Sequence, residues 1–131
     1  MKTKPKKQNT RPRHQPYIDL DTLSKLKQDV SEEGIRVMLG VFRQELAERI
    51  EKVERALVDA DEDTLESQSL SLKSIAGQFG AQPLQHAADE INDLCKRNQY
   101  PRAFKATQSV GDLGTGTLLT IDKLIEAMAK S

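Results

Sequence analysis

Few side chains in this sequence could make or break a covalent bond. The candidates are the serines flanking Leu70 in SLSLKSIAGQFGA (residues 69–81), the lone Cys95, and the two histidines, His14 and His86. A serine attacks only when a neighbouring base takes its proton, and neither Ser69 nor Ser71 has one beside it. His86 lies about 200° round its helix from Leu84, which puts it on the exposed side. His14 sits in a basic terminal stretch. Two remote histidines and one cysteine do not converge as a metal site requires, so no metal or cofactor is expected. Cys95 falls at an apolar helical position and reads as buried filler; a single cysteine excludes an internal disulfide and suits a reducing cytoplasm. The residue types therefore point away from an enzyme. What remains is the stretch around Leu70, where a leucine occupies a position that an amphipathic helix would give to a polar residue.

Four or five helices are expected to position that stretch. The composition, 37% hydrophobic and 31% charged with two Tyr, three Phe and no Trp, fits a soluble all-α domain. A short helix is expected over 20–29, capped by Asp19 or Asp21, with Leu20, Leu23 and Leu26 on one side. Ser31 followed by Glu32 and Glu33 opens a second helix running close to residue 59. Its stripe is Ile35, Met38, Leu39, Phe42, Leu46, Ile50, Val53 and Leu57, while Gly34 and Gly40 either permit close packing or are tolerated. DADED (59–63) is an acidic turn, and a third helix follows to about Phe79, ended by Gly80. Pro83 suits the first turn of a fourth, whose face is Leu84, Ala87, Ala88, Ile91, Leu94 and Cys95. NQYP (98–101) breaks it. Gly111, Gly114 and Gly116 interrupt the last segment, though Leu118, Ile121, Leu124, Ile125 and Met128 make a final helix. Short links imply antiparallel neighbours, hence an up-down four-helix bundle with a short extra N-terminal helix.

At about 100° per residue, the third helix buries Leu65, Ser69, Leu72, Ala76 and Phe79, with Ile75 at the edge of the stripe. Leu70 falls about 140° from Leu65, among Glu66, Lys73, Ser74 and Gly77. An isolated exposed leucine is ordinary. Here, however, a lysine follows one turn on and a glycine lowers the surface two turns on, a shallow site for a partner.

LSLKSIAGQFGAQPL (70–84) resembles the signature of histidine-containing phosphotransfer (HPt) domains, through Leu72, Lys73, Ser74, Ala76, Phe79, Gly80, Ala81 and Leu84. Ser74 where glycine is commoner, FGA, and the later NQ are most similar to quorum-sensing phosphorelay proteins of the LuxU type. The specific motif spans fifteen residues, within a weaker resemblance over 18–130. The resemblance implies an antiparallel four-helix bundle, and a partner that is a response-regulator receiver domain, a hybrid histidine kinase, or both. It also implies that Leu70 stands where relatives carry the phosphorylated histidine. An isobutyl group has no lone pair to accept a phosphoryl group. Lys73, whose family counterpart balances phosphate charge, and Gln78, one turn beyond Ser74, would then lack a phosphohistidine to serve. The expected function is a pseudo-phosphotransfer adaptor that binds through Glu66, Leu70, Lys73, Ser74, Gly77 and Gln78; the alternative is an ordinary phosphotransfer protein captured as a His-to-Leu variant. A bundle whose motif is coincidental would not call for Lys73 or Gly80-Ala81.

Charge is divided unevenly. Residues 1–16 hold four Lys and two Arg with no acid, against 14 basic and 20 acidic residues in the rest. A disordered basic tail over 1–17 and a folded body over 18–131 are expected. The tail lacks the interleaved aromatics of a nucleic-acid arm, so no nucleic acid is expected as a partner. No apolar run approaches the roughly 20 residues of a membrane span, and no membrane association is expected. A self-sufficient bundle is expected to be a cytoplasmic monomer.

Overall fold

The computed structural model describes residues 15–129, so most of the basic tail lies outside the described residues. Among the described residues six helices follow one another: α1 (Leu20–Asp29), α2 (Glu32–Asp59), α3 (Glu62–Gln78), α4 (Gln82–Lys96), α5 (Tyr100–Ala106) and α6 (Gln108–Ala129). Side-chain caps set three of the starts. Asp19 accepts from the amide of Asp21, Ser31 from that of Gly34, and Asp61 from that of Thr64, each satisfying an amide the first helical turn leaves unpaired. Of the two caps considered for α1, Asp19 is the one used.

The links between α2, α3 and α4 are only two and three residues long, so each helix must run back along the one before. Helices α2, α3, α4 and α6 close a four-membered ring; α5 packs on α4 and α6, and α1 packs on α2. The α3–α4 link turns at Gly80, whose φ of +74° is left-handed. Its carbonyl accepts from the Asp19 amide at 2.7 Å, which ties the entry to α1 onto the α3–α4 corner.

Leu39, Leu46, Leu65, Leu72, Leu84, Ile91 and Ile121 are essentially solvent-free in the core, and the Phe42 ring stacks on Phe79 with centroids 3.9 Å apart. The α4 face is buried as its spacing predicts, Cys95 included. Three expectations need correction. Leu57 is 39% exposed, and Ala56 takes the inward place at the end of α2. NQYP ends α4 but also opens α5, with Pro101 in its first turn, where a missing amide costs nothing. The glycines of the last segment do not interrupt α6. Gly114 faces Ile50, whose Cδ1 would stand 2.7 Å from an added Cβ, and Gly116 lies under the Tyr17 ring. Close packing at those two positions offsets the helix propensity they forgo, about 1 kcal/mol each.

Candidate functional site

Leu70 is central to α3 and 45% exposed. Its neighbours alternate in environment as the helical turn requires. Ser69 and Leu72 are fully buried, Ser71 is half-buried, and Ser74 is exposed. Beneath Leu70, Asn92 of α4 fastens the two helices together: its Nδ2 donates to the Glu66 carbonyl at 2.9 Å. Ser69 Oγ donates to the same carbonyl at 3.0 Å. The buried Ser69 hydroxyl also accepts from Asn92 Nδ2 at 3.5 Å, so it is used within the bundle.

The six expected contact residues lie along the outer side of α3. Glu66, Lys73 and Gly77 are half-buried, and Leu70, Ser74 and Gln78 are exposed. Besides Glu66, whose carbonyl Asn92 holds, two have partners on α4 that the α3 motif does not reveal. Lys73 Nζ pairs with Asp89 Oδ1 at 2.9 Å. Gly77 faces Gln85, whose amide nitrogen would stand 2.8 Å from a Cβ placed there, so this glycine makes room for the Gln85 side chain. Gln85, Asp89 and Asn92 follow at helical spacing along the α3-facing side of α4, which a wheel of α4 reveals; which residue each meets depends on how the two helices pack.

Burial pushes the Cys95 thiol up to about 11, with the charges of Glu66 and Glu62 adding to the effect, so it stays protonated near neutrality. Burial, followed by Glu66 and the other nearby negative charges, raises the Tyr100 phenol as well. His86 is exposed on α4, as the wheel predicts. Among the described residues no three His, Cys, Asp or Glu side chains gather as a metal site would need. A groove of about 230 Å³ lies between α1, α2 and α6, lined by Leu23, Ile35, Leu39, Leu124 and Met128. None of its lining comes from α3.

Comparison with known proteins follows this geometry. The Hpt domain family matches residues 37–130, which includes all of α3, α4, α5 and α6. Among solved structures, histidine-containing phosphotransfer protein B (HptB) from Pseudomonas aeruginosa PAO1 is similar in fold, with a TM-score of 0.78 and 21% identity over 86% of this chain and 96% of that one. The comparison with curated proteins gives no match. No helix among the described residues is long and apolar enough to cross a membrane. With the bundle, the order of its helices and the family match in agreement, the chain belongs to the Hpt domain family, the phosphotransfer carriers of two-component signalling, which work with receiver domains and histidine kinases.

Proposed function

We propose that this chain is a pseudo-phosphotransfer adaptor: it docks a receiver domain or a hybrid histidine kinase through the outer face of α3 and accepts no phosphoryl group. The observation that carries this reading is Leu70, an exposed alkyl side chain at the centre of α3, where the family motif calls for the phosphoacceptor histidine. Phosphoryl transfer to histidine needs an imidazole lone pair in line with the phosphorus, and no rearrangement of leucine supplies one. The polar residues around it do not replace that function. Ser74 is exposed but has no base supplied by the motif, and Lys73 can balance charge but cannot receive the group.

Docking survives the loss of chemistry because the two rest on different properties. A partner is held by shape, apolar burial and charge across a face, whereas transfer requires one atom. The uninterrupted α3, the Asn92 fastening and the exposed Leu70 support a face kept in order for contact. A protein of this kind competes with active carriers for a receiver, or holds a kinase in one state. Within the family, Ser74, the FGA of residues 79–81 and Asn98-Gln99 support a place near the LuxU type.

The test is a transfer assay on two chains. The native protein, mixed with a phosphorylated receiver, should bind it and gain no acid-labile phosphate, while Leu70→His should gain one. Acid-labile phosphate on the native chain would overturn the proposal.

A further inference from the structure

We infer that this docking face selects the unphosphorylated form of a receiver domain, and that Asp89 sets the preference. The inference rests on the docking role proposed above and adds to it the state of the partner.

Two of the cations along α3 and α4 are already committed to acids. Lys73, one turn beyond Leu70, holds Asp89 at 2.9 Å, and Arg97 holds Asp93 at 2.6 Å. The remaining charged residues of the two helices are Glu62, Asp63 and Glu66 on α3 and Glu90 and Lys96 on α4. The three cations, Lys73, Lys96 and Arg97, are thus outnumbered by six acids, and no surplus of positive charge stands beside Leu70. A phosphoryl group on a partner carries close to two negative charges near neutral pH and needs donors or cations that are not already committed. Here it would meet an alkyl group that offers no hydrogen bond and a lysine whose charge is balanced. Losing water against such a surface is costly for a dianion and much less so for an unmodified carboxylate site.

The Lys73–Asp89 pair is itself partly exposed, with side chains 39% and 54% accessible, so it contributes little to stability and Lys73 can turn away from it. Turning away does not remove the problem. Asp89 then faces the incoming dianion without its counter-charge, and the repulsion that lysine relieves on one side returns on the other. The carboxylate is the element that discriminates, and the apolar Leu70 beside it favours the less charged partner.

The experiment titrates the full chain against isolated receiver domains from the same genome, each with and without beryllium fluoride as the phosphoryl mimic. For the native chain, beryllium fluoride should weaken binding about tenfold. Asp89→Asn should bring the two affinities to within about twofold of each other, leaving that for the unmodified receiver nearly unchanged. Lys73→Met, which keeps the carboxylate, should retain or widen the preference. Equal binding of both forms by the native chain, or an equal weakening of both by Asp89→Asn, would overturn the selection and leave the docking role standing. Absence of binding to every receiver in either form would overturn both.

Discussion

Truncating Leu70 separates docking from folding, because the side chain's remaining exposed area can be buried only by a partner. Fully burying an exposed leucine is worth about 1.5–3 kcal/mol. With 45% of Leu70 still accessible, roughly half of that is left for a partner to gain, and Leu70→Ala, which keeps Cβ, forfeits about 0.5–1 kcal/mol of it. The corresponding rise in Kd for a receiver domain is about two- to fivefold. The fold should not feel the change. Alanine is the better helix former, and no core contact is lost at an outward position, so the melting temperature should hold or rise slightly. The control is Leu72→Ala, two residues along on the same helix but with no exposed surface, where a cavity should cost about 2–5 kcal/mol of stability. Calorimetric titration with a receiver domain, paired with thermal melts of all three chains, reads both quantities. An unchanged Kd for Leu70→Ala, or a melt lowered as far as that of Leu72→Ala, would refute the reasoning.

Other outcomes test the scaffold. Gly80→Ala should destabilise the corner by more than the 1–2 kcal/mol of a left-handed residue, since its Cβ would also stand 2.8 Å from Thr22 Oγ1 and 2.9 Å from Thr22 Cβ; urea unfolding measures it. The hydrogen bond from Arg43, followed by its charge, holds the Asp122 carboxyl below the ordinary 3.8. A depressed carboxylate stabilises the fold above its unfolded value, and that contribution is lost as pH falls through the folded one. Arg43→Met should therefore flatten stability against pH below about 4 and return the NMR-titrated Asp122 towards its ordinary value. Cys95, buried and with its thiol raised to about 11, should resist alkylation at neutral pH in the native chain and react on unfolding, as mass spectrometry would follow.

How much of this architecture is legible in sequence depends on how far the deciding contact lies along the chain. Ser31, Asp61 and Gly80 act within a turn of themselves, and the boundaries they set fall where local chemistry places them. The outward direction of Leu70 follows from helical spacing alone. Leu57 shows where spacing misleads: its position continues the stripe, but at the end of α2 Ala56 is the residue turned towards the core. The last segment shows the opposite error. Three glycines in six residues read as a break, yet Ile50 and Tyr17 fill the space above two of them and the helix continues.

The sequence by itself determined an all-helical bundle, the Ser31 start of α2, the α3–α4 corner, and a face of α3 whose central residue cannot accept a phosphoryl group. Each of these follows from the side chain present or from its spacing to neighbours a turn or two away. Only the tertiary structure decided that Lys73 meets Asp89, that Gln85 occupies the space above Gly77, and that Asn92 secures Glu66 from below. Those contacts join residues of different helices, and their register is fixed by how the two buried stripes pack. The identity of the residue at the centre of α3 is thus written in the chain, while the pattern of charge around it emerges only when α4 is laid beside α3.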